Sequence, residues 1–238
     1  MYQIDTGVSE TNGQFWKNFF RRYTDSDINY RLVEGQRKDN KEQFATGFKK
    51  SGTGEVYLAL SSGTTKNSVE PTANRKQRKE SRRYLKEKNL KHIYFDHSHP
   101  DDPLPLSSSE DLTHLDVETK RGTKPVHSVT CYHPPTGEVG KVIYQRKNYP
   151  NIISRTLSRV SNKTGIKRPF HKRFERNVEN RIKSEVAEAE RSGVKLIRGD
   201  VISMLAEELE RTGKYSADRI TVNERGVSLP PDFGKYSF

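Results

Sequence analysis

The chain has 238 residues, enough for one sizeable core or for a core with a smaller appendage. Hydrophobic and charged residues each make up 31% and the mean hydropathy is −0.96, so part of the chain adds little to any core, and no stretch approaches the roughly 18 apolar residues of a membrane span. The single cysteine, Cys131, excludes an internal disulfide framework and an all-cysteine zinc cluster, while the net charge of +12 suits either a polyanionic partner or a solubilising surface.

The first residues, MYQIDTGVSE, lack the basic start and apolar run of a signal peptide. A reducing, cytoplasmic setting is expected, with secretion as an effector lacking a classical signal peptide as the alternative. Phe15, Trp16, Phe19, Phe20 and Tyr23 recur at helical spacing and predict an amphipathic helix. A polar connection follows over 24–41, with a short strand expected around Tyr30 to Val33.

FATGF and EVYLAL flank the turn KKSGTG and predict two strands. NRKQRKESRRYLKEKNL is rich in helix formers with a thin apolar stripe, which predicts a mostly solvated helix leading into the apolar strand HIYF. SSSEDLTHLDVETK reads as a capped helix, and VHSVTCY and VGKVIYQ read as a hairpin around HPPTGE. The expected fold class is therefore α/β (α+β), a mixed sheet sandwiched by helices. Its expected organisation is an N-terminal helix and connection over 1–40, a central domain over 41–147 and a basic, mainly helical region over 148–238.

In that last region Arg146, Lys147, Arg155, Arg159, Lys163, Lys167, Arg168, Lys172, Arg173 and Arg176 face only Glu175 as an acid. Interspersed with Ile152, Ile153, Phe170 and Phe174, they make 146–176 the expected contact for nucleic acid or an acidic protein. Further on, Phe174, Val178, Ile182 and Val186 mark one helix. Val201, Leu205 and Leu209 mark another that Gly213 could end, and ITV and VSL suggest a last hairpin.

The chemistry concentrates in DHSHPDDPLPLSSSEDL, Asp96 to Leu112. Residues two apart on a strand share a face, so His97 and His99 can present two imidazoles to one ion, and Asp111 at the start of the next helix can add an oxygen. Three such ligands leave one tetrahedral position for water, as in catalytic rather than structural zinc. His92, His114, His127, His133 and His171 have no partners at ligand spacing and are expected to be solvated or hydrogen-bonded. Cys131 reads as a small buried residue.

Glu42, then His97-Ser98-His99-Pro100, then Ser108 to Asp111 resembles the motif of the JAB/MPN/JAMM metalloprotease family. Glu42-Gln43-Phe44, EVYLAL and Ser61-Ser62-Gly63-Thr64 give it the flavour of the RadC-like branch, and the likeness covers roughly 41–146. It implies an MPN-like (cytidine-deaminase-like) fold and one zinc per chain on His97, His99 and Asp111. It also implies Glu42 as the base that activates the zinc-bound water, Ser108 as oxyanion donor, and a peptide or isopeptide-linked protein as substrate. The spacer before the serine is one residue longer than usual, which leaves Ser107 with Glu110 as an alternative pair; Glu34 and Glu55 are alternative bases. JAB-like domains also serve as bacterial toxin or effector modules, and a non-enzymatic nucleic-acid-binding protein on an MPN-like scaffold is the other alternative.

Overall fold

The computed structural model describes residues 3–7, 32, 42–52, 56–65, 68–71, 83, 85–98, 104–133, 138–164, 166, 168–194, 198–223 and 226–228. The expected aromatic helix at 15–23, most of the helix at 74–90, the turn at 134–137, and Glu34, Glu55 and His99 lie outside the described residues. Leu32, where a strand was expected, is helical and buried.

The architecture is mixed α and β. In chain order the strands are β1 (Gln3–Gly7), β2 (Gln43–Lys50), β3 (Val56–Thr65), β4 (Ser68–Pro71) and β5 (Leu90–Ser98), then β6 (Val126–His133), β7 (Glu138–Arg146), β8 (Tyr215–Asn223) and β9 (Gly226–Ser228). The helices are α1 (Ser109–Glu118), α2 (Ile152–Thr164), α3 (Pro169–Ser192) and α4 (Arg198–Arg211). One sheet runs β1-β3-β2-β5-β6-β7-β8-β9, with β4 paired to β3. Only β5 and β6 pair in parallel among the described strands, because α1 crosses between them and returns the chain to the same end. The hairpins β2–β3 and β6–β7 are antiparallel, as their turns predicted.

Helices α1, α3 and α4 cover one face. Leu112 and Leu115 of α1 pack with Val129, Val142 and Tyr144 of the sheet and with Phe174, Val178, Ile202, Leu205, Leu209 and Tyr215. The residues on either side of position 147 thus share one core and one sheet. The helix carrying Phe174 ends at Gly193, whose φ of 66° is left-handed, and its apolar stripe fades from Phe174 and Val178, which are buried, to Val186, which is exposed.

Part of the basic stretch turns inward. Asp116, buried on α1, is 2.9 Å from Arg168 and 3.3 Å from Arg146, and lies near Ser158 and Tyr215. These two arginines pair with a buried carboxylate and tie the end of β7 and the start of α3 to α1. Arg159, Lys163, Lys172, Arg173 and Arg176 are exposed.

Candidate functional site

Strand β2 positions the first residue of the site. Glu42 sits immediately before it, and the β2–β5 ladder pairs Phe44 with His97, which brings Glu42 to the end of β5 that carries the histidine motif. A hydrogen bond from Gln43 N–H to Ser98 Oγ, 3.1 Å, locks that end. The ladder tolerates a close crossing at Gly47, where a Cβ would lie 3.0 Å from the Cβ of Tyr94.

Helix α1 positions the second. Ser108 is its N-cap and forms a capping box with Asp111. Ser108 Oγ accepts from Asp111 N–H at 3.2 Å, while Ser108 N–H and Oγ–H both donate to Asp111 Oδ2, at 2.8 and 2.9 Å. The carboxylate is thereby held with Oδ1 turned to His97 Nε2, 3.3 Å away. Glu110, the alternative acid, is exposed and accepts from Ser109 Oγ; Ser107 is buried. Of the two pairs, the one beside His97 is Ser108 with Asp111.

Glu42, His97 and Asp111 thus converge from a strand entrance, a strand end and a helix start. Glu42 and His97 are buried and the Asp111 side chain is only 13% exposed. Burial pushes the Glu42 carboxyl up to about 7; His97 pulls it down and Asp111 pushes it up further. For His97, burial favours the neutral ring, but the carboxylates of Asp111, Glu42 and Asp96 outweigh it and raise the pKa to about 9. Glu42 Oε2 is buried without a hydrogen-bond partner among the described residues. Such an atom needs either a proton or a cation close by.

His97 and Asp111 are a nitrogen and oxygen donor pair of the kind zinc takes. At zinc–ligand distances of about 2.0–2.1 Å, two ligand atoms of a tetrahedron stand roughly 3.3–3.4 Å apart, close to the His97–Asp111 separation. No family model matches the chain, and no curated protein matches it. The chemistry of the niche therefore rests on its own residues.

A second group of side chains carries no sequence motif. His92 of β5, His114 of α1 and His127 of β6 converge on Glu118 at the other end of α1, although nothing in their spacing marks them as partners. The nearest sequence signal is the pair His114 and Glu118, four apart on one helix face. Strand alternation puts His92 on the opposite face from His97, but an extra residue in β5, between the pairs Gly47–Tyr94 and Phe48–His92, reverses the phase. Phe95 lies between the two groups, its ring centroid 5.6 Å from His97, 5.5 Å from His114 and 5.3 Å from His127. His171 conforms to expectation, buried with Nδ1 2.8 Å from Thr113 Oγ1, and Cys131 is buried with its thiol toward the Gly140 carbonyl.

Proposed function

We propose that this chain is a zinc-dependent peptidase or isopeptidase of the JAMM type. The observation that supports this most is the convergence of Glu42, His97 and Asp111, separated along the sequence, in one buried niche at the mouth of the β5–α1 connection. His97 and Asp111, together with His99 from the same motif, would hold the ion. Zinc, when bound there, supplies a Lewis acid that polarises a carbonyl and brings a water toward a pKa of about 7.

The residues of the chain do the remaining work. Glu42 has a proton affinity near neutrality, so it can take a proton from an attacking water and hand it to the departing amine, the behaviour that favours a general acid–base group. Asp111 is oriented by its two bonds from Ser108, an arrangement that holds a ligand in place before any ion arrives. The Ser108 hydroxyl gives its proton to Asp111 here, so serving as an oxyanion donor requires that hydroxyl to rotate. The test is cleavage of peptide and isopeptide-linked substrates by zinc-loaded protein beside Glu42→Gln. Activity in the first and none in the second supports the reading; equal rates would overturn it.

A second reading, nucleic-acid binding through 146–176, is favoured by the exposed cations Arg159, Lys163, Lys172, Arg173 and Arg176 and by the exposed Ile152 and Ile153. It loses Arg146 and Arg168 to Asp116, and Phe174 to the core. Salt-sensitive binding of a short DNA or RNA duplex, weakened in Arg159→Ala and Lys163→Ala, would support it.

A further inference from the structure

We infer that His114, Glu118 and His127 form a second divalent-metal site, selective for zinc-like ions, with His92 as the residue that positions Glu118. The three ligand groups come from α1 and β6, and their donor atoms all lie within 4.8 Å of one another. Two imidazole nitrogens and one carboxylate oxygen are a donor set typical of zinc, and less suited to magnesium or calcium, which prefer oxygen alone.

The distances within the group are compatible with a metal site. His114 Nε2 stands 3.5 Å from Glu118 Oε1, long for a hydrogen bond but close to the roughly 3.3–3.4 Å edge of a zinc tetrahedron. His127 Nε2 stands 3.2 Å from the other carboxylate oxygen, Glu118 Oε2, within hydrogen-bond range. His92 behaves differently. Its Nε2 lies 2.8 Å from the Tyr94 carbonyl oxygen, so that nitrogen carries a proton, and its Nδ1 lies 2.8 Å from Glu118 Oε2. That close approach sets the His92 ring against Glu118 Oε2. His92 and His127 thus both face Oε2 and leave Oε1 turned toward His114, which places the His92 ring to orient the carboxylate.

Access and rigidity also suit an ion. The His127 side chain is 1% exposed and fixed in the sheet, whereas those of Glu118 and His114 are 26% and 39% exposed, which opens the group to solvent on the helix side. An ion there would tie the C-terminal turn of α1 to β6. The site is separate from the niche at Glu42, His97 and Asp111, with the Phe95 ring between them, and the inference does not depend on that niche binding metal.

Zinc content per folded chain, measured by elemental mass spectrometry after equilibration with zinc and removal of loose ions, tests it. The expected results are one zinc fewer in His114→Ala and in Glu118→Gln than in wild type, and an affinity reduced about 10- to 100-fold in His92→Gln. Zinc should also raise the melting temperature of the double variant His97→Ala with Asp111→Ala, and this rise should vanish when His114→Ala is added. Unchanged zinc content in folded His114→Ala, the variant at the most exposed ligand, would overturn the inference. If the niche alone binds zinc, His97→Ala empties the protein and His114→Ala does not; if the second site alone binds, the pattern reverses.

Discussion

Asp96 and His97 are neighbours on one strand, yet they face opposite sides of the sheet and meet opposite fates. Asp96 is fully buried and saturated: it accepts from Thr130 Oγ1 at 2.9 and 3.1 Å and from Tyr94 OH at 2.8 Å, and pairs with the buried Lys141 ammonium at 2.5 Å. Across the sheet, His97 meets two carboxylates, and one Glu42 oxygen has no hydrogen-bond partner among the described residues. A buried charge whose lone pairs are all engaged stabilises a fold and has nothing left to offer a substrate. A buried group left partly unsatisfied keeps its proton affinity near neutrality and remains available for chemistry.

Substitution should separate the two sides sharply. Glu42→Gln is expected to lower hydrolysis about 100- to 10,000-fold, measured as initial rates on zinc-loaded protein, while leaving zinc content and melting temperature at or above wild type, because a neutral amide replaces a poorly solvated acid. Lys141→Met should do the reverse. Stranding Asp96 without its cation costs about 3–5 kcal/mol in denaturant unfolding, while zinc content in the folded fraction stays unchanged. A Lys141 variant as stable as wild type would contradict the stabilising role of this buried pair.

Smaller effects sharpen it. Ser108→Ala removes the cap of α1 and one of the two bonds that orient Asp111, so about 1 kcal/mol of stability and about 10- to 100-fold in zinc affinity at the niche should be lost together, read by unfolding and by competition with a chelator. Conservation of one with loss of the other would separate the cap from the ligand.

The pH dependence of the metal-free protein is the mildest test. His97, raised from 6.5 to about 9, contributes stability that is fully present below pH 6.5 and lost as pH rises through about 9. His171 is held down to about 3 by burial and by Arg168, Lys214 and Arg146, so its contribution is present above pH 6.5 and lost as pH falls toward 3. Each should give a slope of about 1.4 kcal/mol per pH unit within its window. Replacing His97 should flatten the alkaline limb and replacing His171 the acid limb, as followed by chemical denaturation.

The local elements were legible because local rules decide them. The β2–β3 and β6–β7 hairpins follow from turn residues, and α1 follows from serines placed ahead of an acid, which also brought Ser108 and Asp111 into view as a capping pair. What the sequence hid depends on contacts distant along the chain. The arginines at 146 and 168 read as surface charge until the buried Asp116 of α1 meets them. His92 reads as facing away from His97 until the extra residue in β5 turns it round, and His127 joins only because β6 lies parallel to β5. Strand β8 extends the sheet beside β7, and Tyr215 and Ala217 complete the core under α4.

If Glu42, His97 and Asp111 border a zinc-binding niche, a count of zinc per chain at neutral pH in wild type, His97→Ala and Asp111→Ala will show it. One zinc fewer is expected in each folded variant than in wild type, with Glu42→Gln retaining the wild-type count. Equal zinc in wild type and both variants would contradict it.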